Sequence, residues 1–136
     1  MSEPEPTWLS RAAVAAAQAD QIRTHGGQPG IRDVGLLDSA LARPRHRWSF
    51  EHPEPGCDLA DLAASLGLGI IRNHPFLDGN KRAGLVAMNM FLILNGQELD
   101  APEPAVVDVI VRVADGSLDE AGLGDWIRSV LVPFGS

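Results

Sequence analysis

Nine residues, 74–82, hold most of the chemistry this chain can offer: His74, Pro75, Phe76, Leu77, Asp78, Gly79, Asn80, Lys81 and Arg82. They lie between two apolar segments of helical character, so the stretch reads as a loop feeding a helix N-terminus. The first backbone N–H groups of a helix have no internal partner, and the macrodipole adds partial positive charge there. Gly79 lets the chain curl so that these groups converge, and Lys81 and Arg82 add full charges. The natural occupant is a phosphate. The carboxylate of Asp78 would repel a bare phosphate. It suits a magnesium ion, which is commonly held by one carboxylate together with substrate phosphates. His74 is the side chain of this stretch able to take a proton near neutral pH. A base, a cation ligand and a phosphate cradle within nine residues point to transfer of a phosphate-containing group to a hydroxyl.

Helices are expected on both sides. Ser10 is a suitable N-cap for an alanine-rich helix over 11–24, closed by Gly26 and Gly27. Asp33 can cap a second, with Leu36, Leu37, Ala40 and Leu41 at helical spacing, and Pro44 is expected to end it. Residues 45–57 then read as a long connection. Asp58 caps a third helix running to about residue 73. Residues 83–94 are apolar on all sides except at Asn89, which predicts the buried central helix, stopped by Asn95 and Gly96. Pro104 fits the first turn of a fifth helix. Ser117 and Glu120 have capping-box spacing for a sixth, ended by Pro133. The expectation is one all-α, six-helix domain over 10–133, preceded by a flexible tail, 1–9.

Composition agrees with one packed domain. The chain has 136 residues, 45% hydrophobic and 21% charged, and one cysteine, Cys57, so a disulfide framework is excluded. Cys57 and Trp126 read as structural, and His25 and His52 as surface residues. No His/Cys pair has zinc-ligand spacing. Eighteen acidic against 11 basic residues argue against direct DNA binding. No apolar run reaches the ~20 residues that span a bilayer. The acidic start is unlike a signal peptide, so a cytoplasmic location is expected, with no membrane partner. Ten of the 11 basic residues are Arg; the one Lys is Lys81.

Residues 74–82 resemble the signature of the Fic/Doc family, His-x-Phe-x-Asp/Glu-Gly/Ala-Asn-Gly/Lys-Arg, at His74, Phe76, Asp78, Asn80, Lys81 and Arg82. The stretch from Gly26 to Asp33, then Gly35-Leu36-Leu37 and the run from Ala40 to Pro44, is similar to the amino-terminal half of the family's death-on-curing branch. The resemblance implies a compact α-helical toxin paired with an antitoxin whose segment folds on it. It implies ATP and Mg2+ as cofactors, and transfer of the terminal phosphate of ATP to a hydroxyl of a translation elongation factor. By motif position His74 is the catalytic base and Asp78 the metal ligand. Gly79, Asn80, Lys81 and Arg82 bind phosphates, and Phe76 anchors the loop. Many AMP-transferring members carry Gly where Lys81 stands and a second Arg where Leu85 stands. These departures favour phosphate over AMP transfer, which stays as the alternative beside a catalytically silent binding module.

A basic, aromatic run in the 45–57 connection, with Arg45, Arg47 and Trp48, is the candidate for target docking. Self-inhibited relatives carry Ser/Thr-x-x-x-Glu-Gly/Asn. None of the seven Glu here is followed by Gly or Asn, so inhibition is expected from another chain.

Overall fold

Helix α3 (Leu59–Asn73) is the axis of the fold: Ala60 and every residue from 62 to 71 are buried. Around it stand α1 (Arg11–His25), α2 (Val34–Glu51), α4 (Asn80–Leu94), α5 (Glu103–Ala114) and α6 (Glu120–Val130). This is a computed structural model, and the residues it describes are 4–52 and 56–135. The all-α reading holds, but the central helix is the third, not the fourth. Both are apolar, and side-chain size decides between them. Ala60, Ala63, Ala64, Ser65, Gly67 and Gly69 let neighbours approach α3 from every side. Helix α4 buries one face, including Ala83, Gly84, Ala87, Met88, Phe91 and Leu92, and leaves Leu85, Val86, Met90 and Ile93 half-buried.

The α3–α4 contact is close. A Cβ on Gly84 would stand 2.6 Å from Ile71 Cγ1 and 3.2 Å from the Gly67 carbonyl oxygen, and one on Gly67 would overlap Met88. On the other side, a Cβ on Gly69 would stand 3.1 Å from Ala40 Cβ of α2.

Ser10, Asp33 and Asp58 cap their helices as expected, Asp58 in a reciprocal box with Asp61. The sixth helix is capped by Asp119, which accepts from Gly122 N–H at 2.8 Å, and not by Ser117, whose N–H goes to Asp115. Pro44 does not end α2. It sits buried inside the helix, which continues to Glu51. The missing N–H costs about 3 kcal/mol in a helix interior. The turns beyond it offset this: Arg47 pairs with Glu51 and Glu120, Arg43 with Glu120, and Trp48 is buried. The expected long connection therefore shrinks to residues 52–58, of which 53–55 lie outside the described residues.

Two short strands follow the helices they flank, β1 (Gln97–Leu99) and β2 (Leu131–Pro133), paired antiparallel with Glu98 opposite Val132. Leu131 is extended, so α6 ends at Val130, three residues before Pro133. The amino-terminal segment is anchored, not a free tail, from Thr7 onward. Its backbone exchanges two hydrogen bonds with the Asn95 side chain, Trp8 stacks on Phe91 at 5.8 Å and Leu9 is buried. Residues 1–3 of the expected tail lie outside the described residues. His25 is exposed, whereas His52 stacks on Trp48 at 3.8 Å. Burial and nearby Glu51 push the Cys57 thiol above its usual range, in keeping with a structural role. Trp126 is half-buried against the core.

Ion pairs tie α6 to the start of α3. Arg128 holds Asp58 through two bonds of 2.7 and 3.0 Å and Asp61 through one of 2.8 Å. The Arg128 hydrogen bonds hold the Asp58 carboxyl down at about 2.

Two outcomes follow. Gly84→Ala gains about 1 kcal/mol of helix propensity but meets Ile71 and a backbone oxygen. Overpacking of this kind costs about 1–3 kcal/mol, so a lower urea midpoint is expected. Asp58 has a depressed folded value, so its contribution is full above the unfolded value of about 4 and is lost as pH falls toward 2. In Arg128→Ala the drop in urea midpoint between about pH 5 and about pH 3 is expected to be smaller than in the wild type.

Candidate active site

The connector between α3 and α4 is six residues long, 74–79, and left-handed at both ends. His74 closes α3 with φ +51°, and Gly79 opens α4 with φ +69°. His74 is the one non-glycine residue with positive φ among those described. Such backbone is uncommon in a residue with a side chain and clusters at functional sites.

The loop is fastened from within. Phe76 is buried, and Asn80 straps it down: Asn80 Oδ1 accepts from Phe76 N–H at 2.9 Å, and Asn80 Nδ2 donates to the Phe76 carbonyl at 3.1 Å. This occupies the Asn80 side chain, which the sequence reading offered to phosphate; its backbone N–H in the first turn of α4 is what it can still present. The same amide stands 3.5 Å from His74 Nδ1. That distance is the outer limit of a hydrogen bond and does not lock the tautomer of the ring.

It is also fastened from outside, by residues the sequence reading missed. The segment between α1 and α2 lies along the loop, with Ile31 bridged to Phe76. Leu77 N–H donates to the Gly30 carbonyl at 3.0 Å, and Arg32 N–H to the Pro75 carbonyl at 2.7 Å. Gln18, buried in α1, joins the two pieces. Its Nε2 donates to the Asp78 carbonyl at 3.0 Å, and its Oε1 accepts from Gly30 N–H at 3.2 Å. The signal for Gln18 was faint but present. It is the polar residue in the buried Val14, Gln18, Ile22 stripe of α1.

His74, Asp78, Gly79, Asn80, Lys81 and Arg82 come together on one side of a cleft of about 610 Å³. Leu77, Leu85, Val106, Val107, Ile110 and Val111 form the apolar rest of the lining. Arg72 holds α5 in place by donating to the Val113 and Leu118 carbonyls. One Asp78 oxygen, Oδ2, accepts from Gln28 N–H at 2.8 Å, and its Oδ1 has no partner among the described residues. A carboxylate with one open oxygen beside a phosphate-sized cradle fits a magnesium ion.

The electrostatics of α4 are unusual for a helix start. Gly79 provides no side-chain cap, and the first turn has no acid but carries Lys81 and Arg82. Cations at a helix N-terminus oppose the macrodipole. Every other arginine has a partner among the described residues, either a carboxylate, a backbone carbonyl or, for Arg45, the ring of Trp8 at 5.9 Å. Arg82 and Lys81 have none. The start of α4 thus carries two cations with no counter-charge among the described residues.

The docking candidates lie elsewhere. Trp48 is buried, and Arg47 is held by Glu51, Asp61 and Glu120. They sit beside the first turns of α3, whereas His74 is at its last. Thirteen residues of helix separate Asp61 from His74, about 20 Å. Arg47 and Trp48 are therefore part of the scaffold, and Arg45 covers Trp8 of the amino-terminal segment.

Residues 8–92 match the Fic/DOC family profile. The chain belongs to the Fic/DOC family. It is 31% identical over 121 residues to the protein named Protein kinase doc of Escherichia phage P1, covering 88% of this chain and 92% of that one. It is also 43% identical over 76 residues to the protein named Toxin Doc of Mycolicibacterium smegmatis, covering 56% and 57%. Among solved structures, the amino-terminal Fic domain of a Bartonella quintana cell filamentation protein aligns with 71% of the chain at 16% identity and TM-score 0.48. The chain spans 46% of that one. Among the described residues, no helix is long and apolar enough to cross a membrane.

Gln18→Met keeps the volume and removes the polar hub. Buried groups left unpaired cost about 1–3 kcal/mol. A drop of that size in unfolding free energy is expected, with faster hydrogen exchange at Gly30 N–H.

Proposed function

We propose that this chain is the toxin of a toxin–antitoxin pair and a protein phosphotransferase. It moves the terminal phosphoryl group of ATP to a hydroxyl of a target protein, a translation elongation factor being the expected target. The observation that carries the reading is the uncapped, doubly cationic N-terminus of α4 beside His74. It asks for phosphates within reach of a proton acceptor. The 31% identity to a protein named as a kinase, over most of both chains, supports phosphoryl rather than AMP transfer, as does Lys81 in place of Gly. The stem and compact charge of Lys81 narrow the cradle and favour the terminal phosphate on the side of His74.

In this reading His74 takes the hydroxyl proton at Nε2, the ring nitrogen turned away from Asn80. The hydroxyl oxygen bonds to the γ-phosphorus while the bond to the ADP oxygen breaks. The backbone N–H groups of the first turn of α4, with Lys81 and Arg82, hold the phosphates. Asp78 would hold a magnesium ion, which would supply positive charge to offset that of the phosphates. Gly79 makes the turn that aims the N–H groups. The apolar wall of α5 offers the nucleoside a dry surface. An antitoxin segment would fold along the half-buried strip of α4, where Leu85, Met90 and Ile93 face Leu99 and Val106 across a groove of about 310 Å³. Covering an apolar groove by a segment that folds on binding is a common recognition mode.

The test uses ATP labelled separately at the α- and γ-phosphates, with dialysed bacterial lysate as acceptor. Label on protein is expected from the γ position alone. It is expected to fall at least 10²–10⁴-fold, the usual range for a general base, in His74→Ala, with ATP binding retained. Label from the α position would replace this reading with AMP transfer, and ATP binding without label from either would leave a silent binding module.

A further inference from the structure

Three successive carbonyls at the end of α3, those of Asn73, His74 and Pro75, accept hydrogen bonds from one residue, Arg32. Its Nε donates to the His74 carbonyl at 2.8 Å, its Nη2 to the Asn73 carbonyl at 3.1 Å and its backbone N–H to the Pro75 carbonyl at 2.7 Å. The last carbonyls of a helix have no partners within it and form the negative end of the dipole, so a guanidinium fork fits them in charge and in shape. The placement matters because His74 has left-handed backbone, φ +51°. Left to itself, a histidine there has easier conformations available. A change in its backbone would swing the imidazole out of line with the cleft. Arg32 grips the backbone on both sides of the His74 Cα and leaves the ring free.

Resting on the phosphotransferase reading, we infer that Arg32 is a positioning residue. By holding the Asn73 and His74 carbonyls it sets the His74 ring over the cleft for proton transfer. It touches neither nucleotide nor target. Its place is in the segment between α1 and α2, packed on the active loop, so that segment takes part in the reaction by aiming the base.

The test compares wild type, Arg32→Ala, Arg32→Lys and His74→Ala in the γ-labelled ATP assay with dialysed lysate. Misplacement by about 1 Å can cost 10²-fold, so Arg32→Ala is expected to lower the maximal rate by about 10- to 100-fold. Its KM for ATP and ATP affinity should stay within about twofold. Arg32→Lys keeps the charge and loses the fork, and is expected to recover part of the rate. An unchanged maximal rate in a folded Arg32→Ala would overturn the inference. So would a loss confined to KM for ATP, which would make Arg32 a phosphate ligand. If Arg32→Ala does not fold, the same split is read from Arg32→Lys, and a wild-type rate there would overturn it. The underlying reading fails separately, through an active His74→Ala or an inactive wild type.

Discussion

The contact between α3 and α4 at Gly67 and Gly84 constrains everything around the site. Neither glycine can take a side chain without displacing its neighbours, so the two helices run nearly backbone to backbone. The connector that joins these two helices has six residues, 74–79. A connector this short, leaving one helix and entering the next, turns through left-handed backbone at both ends. Glycine does this freely at Gly79. At the other end the residue is His74, and its strained backbone needs support from outside the loop.

That support comes in two forms. Within the loop, Phe76 plugs the core and Asn80 straps the Phe76 backbone, which settles the path of the chain. Beside the loop, Gln18, Gly30 and Arg32 supply partners for its exposed backbone. The chemistry-bearing groups are thereby left with little else to do. His74, Asp78, Lys81 and Arg82 line a common cleft, and Lys81, Arg82 and one Asp78 oxygen have no partner among the described residues. A helix start that lacks both a cap and an acid is unfavourable in isolation. It is well matched to a polyphosphate, and this is the feature on which the proposed phosphate site rests.

Much of this was legible in the sequence. Residues 74–82 stood out because their chemistry is local: nine consecutive residues contain an imidazole, a carboxylate, the turn and two cations. The caps at Ser10, Asp33 and Asp58 were legible for the same reason. What was missed depends on distance along the chain. Gln18 lies sixty positions before Asp78, and Arg32 forty-two before His74. Pro44 carried a strong local signal for helix termination. Ion pairs to Glu120 and burial of Trp48 overrode it, and neither is visible from residues 40–50 alone. The same override buried Trp48 and tied Arg47 down among carboxylates. Apolarity marked α4 as the central helix and did not single out α3. The small residues of α3 did, through packing that only the assembled helices reveal.

In the proposed reaction the loop and the start of α4 hold ATP with its terminal phosphate toward His74. A crystal structure of the His74→Ala variant soaked with ATP and magnesium tests it most directly. The γ-phosphorus is expected nearest position 74, with the ion on Asp78 and phosphate oxygens on the amides of the first turn of α4. An α-phosphorus at that place, or a nucleotide bound away from Lys81 and Arg82, would contradict it.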